Sequence, residues 1–356
     1  MNRYGDIAAG STRKCILVVG NFLSRYGGSR GVCEDLAERL ADAGWKVLTA
    51  SRKRARILML LDMVLTAWHR RAEYDVAQID VFSGNAFVWA EAVCWALRRA
   101  HKPYVLTLHG GNLPHFVQRH PHRVKRLLQS AAAVTAPSRY LQEQMAPYRG
   151  ETVLLPNPLE LGQYRFVARR RPASKLVWLR AFHTIYNPVL AVNVLARLAR
   201  SHPAIALIMV GPDKDDGSLQ AVQDAARFLG VSDRLTIQAG VPRADVPKWL
   251  QKGDIFLNTT NVDNAPVSVL EAQACGLCVV STNVGGLPYL LDQEQDALLV
   301  PPQDPAAMAL AVERILTEPR LAERLSRSAR AKAEQHDWSV ILPQWEELLN
   351  KVARRG

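Results

Sequence analysis

Twelve short apolar runs punctuate this chain, with helix-periodic stretches between most of them, and that alternation restricts the fold more than any other feature of the sequence. In the first half CILVVG, KVLTAS, DVAQID, YVLTLHG, AAVTAPS and TVLLPN read as strands. In the second half KLVWLR, IALIMVG, RLTIQAG, DIFLNTT, LCVVST and DALLVPP repeat the pattern. Strands separated by helices pair in parallel, because a parallel pair needs a long crossover, and the crossovers cover both faces of the sheet. The 356 residues suffice for two such units, at roughly 100 to 200 residues each. PNPLELGQYRFVARRRPAS, at 156–174, is rich in proline and charge and lacks periodicity, and is the expected linker. The fold expected is α/β: two tandem Rossmann-like, doubly wound parallel-sheet domains, 1–165 and 166–340, facing a cleft, with a last helix in 341–356 returning toward the first.

At 48% hydrophobic residues the chain can bury a large core, yet no apolar run reaches membrane-spanning length, which is ~18 residues. The N-terminal MNRYGDIAAGSTRKC has no secretory apolar region. A soluble protein working in the cytoplasm is expected. Five scattered cysteines make no disulfide framework, and in the one C-x-x-C, Cys275 falls at a helix end while Cys278 opens a strand.

Charge is divided unequally. Residues 1–165 hold 23 Lys and Arg against 13 Asp and Glu, a surplus of +10, and the rest of the chain adds only +2. The densest basic stretch, SRKRARILMLLDMVLTAWHRR, sets Arg52, Lys53, Arg54 and Arg56 before a mainly apolar helix that ends in Trp68, His69, Arg70 and Arg71. Such a helix can lie on an anionic membrane surface, or it can be an ordinary packed helix with solvated ends. It lacks the interleaved aromatic platform of a nucleic-acid binder, so no nucleic-acid partner is expected.

Ligands of open parallel sheets sit beyond the carboxyl ends of the strands, so the exit loops hold the candidates. After the first strand, Gly27 and Gly28 allow close backbone approach before a helix start, without the spacing of a dinucleotide or Walker loop. After the fourth, His109 precedes two glycines. After the tenth comes NVDNAPVSVLEAQACGLCVVSTNVGGLP: an exit loop with Asp263 and Asn264, a helix closed by Gly276, a strand, and a Gly-Gly pair. The first helical amides can meet a diphosphate, and Glu271, further along, can accept both hydroxyls of a ribose.

From about Lys175 to Asn350 the chain resembles the C-terminal domain of family 4 retaining glycosyltransferases of the GT-B fold. Their E-x7-E pair is matched by Asp263 and Glu271, followed by NAPVSVLEAQACG and VVSTNVGGLP. GGSRGV, LTLHGG, TAPSRYL and LLPNP extend the likeness over the first half. The resemblance implies that Glu271 binds the ribose and Asp263 the donor sugar's hydroxyls. Asn264, Ala265, Pro266, Val267 and Ser268 would meet the sugar and diphosphate, the amides around Ala265 to Ser268 serving as donors. His109 would face the sugar, Val241 would touch the base, and Gly27 and Gly28 would border diphosphate and acceptor. The family's usual Arg and Lys on the leaving diphosphate are reduced to Arg180, with Ile185 and Tyr186 where the Lys is expected. His183, Tyr186 or a basic residue of the first domain must then compensate, or turnover is slow.

The activity implied is metal-independent, retaining transfer from a UDP- or GDP-sugar to an acceptor hydroxyl. No cofactor or metal is expected, Asp213 and Asp215 of GPDKDDG being polar loop residues. The acceptor expected is a lipid-linked glycan of polysaccharide or glycolipid synthesis, met by a hexosyltransferase peripheral on the inner face of the cell membrane. The alternatives are a sugar-nucleotide enzyme of the epimerase type that needs no acceptor, and a degenerate membrane-bound binding subunit.

Overall fold

The computed structural model describes residues 14–22, 31–53 and 55–354. All twelve apolar runs form strands. The first sheet contains β1 (Cys15–Val19), β2 (Lys46–Ala50), β3 (Val76–Val81), β4 (Tyr104–Leu108), β5 (Ala133–Ala136) and β6 (Val153–Leu154), in the order β2-β1-β3-β4-β5-β6. The helices along this stretch are α1 (Val32–Asp42), α2 (Arg56–His69), α3 (Phe87–Arg99), α4 (Leu113–Arg119), α5 (Pro121–Gln129) and α6 (Arg139–Met145). The chain steps from β1 to β2 in one direction, then back over β1 to β3 and on to β4. Right-handed crossovers therefore place α2 and α3 side by side on the face opposite α1.

The second sheet contains β7 (Lys175–Leu179), β8 (Ala206–Gly211), β9 (Leu235–Ala239), β10 (Ile255–Asn258), β11 (Cys278–Thr282) and β12 (Ala297–Val300), in the order β12-β11-β10-β7-β8-β9. Its helices are α7 (Pro188–Leu198), α8 (Ser218–Phe228), α9 (Val246–Leu250), α10 (Val267–Ala274), α11 (Leu287–Leu290), α12 (Pro305–Thr317) and α13 (Leu321–Glu334). Helix α14 (Trp338–Ala353) ends the described chain. Strand β7 shows why its run is apolar throughout. Leu176 and Trp178 enter one core with α7 and α12, while Val177 and Leu179 enter the other with α10. The order of connection reverses between β7 and β10, and that switch point positions the site.

Two compact units emerge, Met1–Leu108 with His120–Thr135 and Gln344–Gly356, and His109–Arg119 with Ala136–Pro343. They do not divide at 165. Within the first unit, Trp45 Nε1 donates to Glu346 at 3.0 Å, which ties in the chain's last helical turns. The segment expected to be a linker, 156–174, is instead packed into the second unit. Leu159 N–H donates to His336 O at 2.7 Å, and Arg169, 6% exposed, pairs with Asp254 at 2.6 Å. Such anchoring uses single residues at irregular intervals, so no periodicity marks it in the sequence. Cys275 caps α10, Cys278 opens β11, and burial pushes both thiols up to about 12, which leaves them inert packing groups.

Candidate active site

Arg180 leaves β7 with its N–H bonded to Val210 O at 3.1 Å, and Asp263 lies in the turn between β10 and α10. These two exits flank the switch point, and their side chains form an ion pair, Arg180 Nη2 to Asp263 Oδ2. Both are largely buried, at 13% and 12% side-chain exposure. Arg180 Nη1 also donates to Ser268 Oγ at 3.4 Å, and the Tyr186 ring covers the guanidinium at 4.0 Å. Tyr186 thus shields the cation from water without adding a charge. Arg180 Nε is buried with no acceptor, so the guanidinium is incompletely paired. His183 does not join it: its Nδ1 accepts from Ile185 N–H at 3.1 Å and its Nε2 lies 3.9 Å from Asp216.

The Asp263 carboxylate is held at both ends, since its Oδ1 accepts the Asn264 N–H at 3.0 Å. Burial raises its pKa, against the opposing influence of Arg180 and that N–H. The Gly-Gly pair that follows β11 is explained here. A Cβ on Gly285 would stand 2.1 Å from Asp263 O, and one on Gly286 2.0 Å from Asn264 O. The pair lets one loop press its backbone against the Asp263–Asn264 turn. Gly111, two residues past His109, does the same from another side, its Cβ position lying 3.0 Å from the Asp263 carbonyl carbon. His109 itself is buried.

Helix α10 is buried from Ser268 to Ala274, and no side chain caps its start at Pro266. Its first N–H groups and positive dipole end therefore suit an anion. Pro266 contributes shape only, having no N–H, so the amides around Ala265 to Ser268 are those of its neighbours. The Asn264 side chain is already engaged: Ser138 Oγ donates to its Oδ1, while Asn157 Nδ2 donates to Ala265 O at 2.9 Å. Ser138 and Asn157 belong to TAPSRYL and LLPNP, motifs visible in the sequence whose task was not.

One turn into α10, Glu271 accepts a hydrogen bond from Tyr164 OH at 2.7 Å. Burial raises the Glu271 pKa, opposed first by that hydrogen bond and then by the charges of Arg243 and Arg180. Tyr164 and Arg243 are additions to the predicted set, and nothing in the aperiodic ELGQYRF or in PRADVP signals them. Val241 follows β9 half-buried, in the loop where Gly240 N–H donates to Gly211 O at 2.9 Å. Gly211 in turn packs on Arg180, where a Cβ would meet the Arg180 carbonyl oxygen at 1.7 Å. Gly27 and Gly28 lie outside the described residues. Asp213 and Asp215 stay apart from this group, with Asp215 N–H donating to Asp213 Oδ1 at 3.0 Å to close their own turn.

Comparison with known proteins identifies the family and the fold. Residues 173–332 match the family model of glycosyl transferases group 1, and residues 26–163 match that of Glycosyltransferase Family 4. A D-inositol 3-phosphate glycosyltransferase of Frankia alni is 29% identical over 51% of this chain and 47% of its own length. A glycogen synthase of Mycobacterium tuberculosis is 27% identical over 61% and 52%. The chain thus spans about half the length of the curated relatives it matches. Sucrose-phosphate synthase from Thermosynechococcus elongatus superposes with a TM-score of 0.80 at 20% identity, covering 97% of this chain and all of that one. Anabaena HepE in complex with UDP and glucose gives 0.76 at 18% identity, over 95% and 100%. At these identities the structural matches speak for the fold. The two family models, matching 26–163 and 173–332, make the chain a member of the group 1, family 4 glycosyltransferases, and the structural matches show its GT-B fold.

Proposed function

We propose that this chain catalyses metal-independent, retaining transfer of a sugar from a UDP- or GDP-sugar to an acceptor hydroxyl. The observation that carries the reading is the grouping of a largely buried, incompletely paired Arg180 with the uncapped start of α10 and the buried Glu271 carboxylate. The α10 amides and Arg180 would hold the diphosphate. Arg180 would gain most as that group departs, because negative charge grows on it in the transition state. Tyr164 fixes one oxygen of Glu271, and the carboxylate can accept a ribose hydroxyl through its other oxygen. Asp263 makes a poor nucleophile, since Arg180 and the Asn264 N–H each hold one of its oxygens. That favours attack by the acceptor on the face the diphosphate leaves, without a covalent sugar intermediate on the protein. The UDP bound by HepE and the names of the glycosyltransferase relatives support a nucleotide-sugar donor.

The acceptor in this reading is a lipid-linked glycan met at the cytoplasmic face of a membrane, supported by the +10 surplus in 1–165. Among the described residues no helix is long and apolar enough to cross a bilayer, so attachment would be peripheral. The test is turnover of UDP- and GDP-sugars with lipid-linked and soluble acceptors in the presence of EDTA, with the product's anomeric configuration read by NMR. A product with the donor's configuration is expected. An inverted product, or conversion of donor alone to an epimer, would overturn the reading.

A further inference from the structure

Helix α2 is apolar on two faces, and only one is covered. Met59, Met63 and Ala67 pack inward, while Ile57, Leu58, Leu61, Leu65 and Trp68 remain exposed, Ile57 at 75% and Leu65 at 51%. Residues 57, 61, 65 and 68 stand about one turn apart and form a single outward stripe. Helix α3 packs alongside α2 and carries a second stripe, Val88, Ala92 and Trp95, of which Trp95 is 53% exposed. Each stripe ends in the same device: Arg71 sits over the Trp68 ring at 4.7 Å and Arg99 over the Trp95 ring at 5.4 Å.

The charges around this face are mainly basic at both ends. Arg52, Lys53 and Arg56 are exposed at the start of α2, and Arg70, Arg71, Arg98 and Arg99 at the far ends of the two helices. The acidic neighbours are mostly engaged. Glu73 pairs with Arg70, Glu91 pairs with Arg123, and Asp75 accepts the Cys15 N–H, which leaves half-buried Asp62 within α2. Self-association through the face would set basic ends against basic ends whichever way the helices ran. A bilayer with anionic headgroups supplies the opposite charge for both ends and an apolar layer for the middle. Tryptophans with arginines on their rings suit its interface, the ring lying at headgroup depth and the cation in water.

We infer that the outward face of α2 and α3 together is a docking surface for an anionic lipid bilayer, with the leucines and both tryptophans entering the headgroup–acyl boundary. It deepens the proposed membrane acceptor and rests on that reading for its purpose. The physical claim is separate, because insertion of two apolar stripes is more than electrostatic adhesion of a basic helix. Salt should weaken it without abolishing it.

The test is co-sedimentation of the full chain with vesicles of phosphatidylcholine, with and without phosphatidylglycerol, at low salt and at about 0.5 M salt, where screening acts within a few ångströms. The inference expects binding that needs phosphatidylglycerol and persists in part at high salt. It expects a loss of more than ~10-fold in partition for Leu61→Ser with Leu65→Ser, and a clear loss for Trp95→Ser, which leaves α2 untouched. Nucleotide binding and thermal midpoint should be unchanged in these variants, which keeps misfolding out of the comparison. Absence of vesicle binding would overturn the inference, as would binding indifferent to Leu61, Leu65 and Trp95 and erased by salt. So would a concentration-dependent dimer, seen by sedimentation velocity, that the same substitutions dissolve. Vesicle binding without sugar transfer would leave this inference standing while the proposed function fell.

Discussion

Helices α10 and α2 are both rich in apolar residues, yet the first is buried on every side beyond its opening residue and the second leaves half its apolar side chains outside. In the second unit the apolar side chains are spent on holding a few polar groups still. Arg180, Asp263 and Glu271 lie in a largely buried setting where an ion pair and a hydrogen bond fix them. In the first unit α2 and α3 hold apolar side chains outward and ring them with cations. Hydrophobicity alone therefore does not separate scaffold from recognition surface. What separates them is whether a neighbour covers the face.

The comparison can be broken most forcefully at Arg180. Arg180→Ala should lower kcat by about 10²–10³, the loss typical of removing one charge-stabilising donor, with a much smaller rise in KM for the donor. It should also cost about 3–5 kcal/mol of stability, because Asp263 is left as an unpaired buried charge. The double variant Arg180→Met with Asp263→Leu should regain stability and remain inactive. Steady-state kinetics with thermal unfolding checks both; recovered activity in the double variant would remove the pair from the chemistry.

Next in size is Gly286→Ala. Gly286 has φ −84, which any residue adopts, so the cost is purely the missing space against Asn264 O. About 1–3 kcal/mol is expected, accompanied by weaker donor binding as the Asp263–Asn264 turn shifts. Unchanged unfolding and binding would show that the two loops are not pressed together.

Glu271→Gln separates function from stability. Burial holds the Glu271 pKa above its ordinary 4.5, so folding favours the protonated form and this site's contribution is lost as pH rises through the folded value. The variant should unfold at a higher temperature than the parent near neutral pH, and the gap should close as pH falls toward 4.5, where the parent is protonated too. A gap that widens on acidification would reverse the assigned sign.

The smallest effect belongs to the outward face. Leu61→Ser with Leu65→Ser should leave stability within about 0.5 kcal/mol, since neither side chain is buried, while Leu270→Ala in α10 should cost about 2–5 kcal/mol. Equal costs, measured by denaturant unfolding, would mean that the α2 face is covered in solution.

The strands were legible because each is an apolar run between helical periods, and the positions of Asp263 and Glu271 because one falls on an exit loop and the other on the following helix. The segment 156–174 was not legible. Tyr164 reaches Glu271 across 107 positions, and Arg169 reaches Asp254 far along the chain, contacts that leave no local pattern. The Gly-Gly pair could be seen without its purpose, because its partner is backbone. The two readings of α2 could not be separated either, since periodicity reports apolar positions and not what covers them.

The central claim is that the second unit binds the nucleotide of a sugar donor through Glu271, poised by Tyr164. Calorimetric titration of UDP and GDP into the parent, Glu271→Gln and Tyr164→Phe tests it most directly. One of the two nucleotides should bind the parent. Glu271→Gln should weaken that binding by about 1–3 kcal/mol, the worth of a charge-assisted hydrogen bond, and Tyr164→Phe by about 0.5–1.5 kcal/mol, because the carboxylate is then present but no longer held. Binding of neither nucleotide, or equal affinity across all three proteins, would contradict the account.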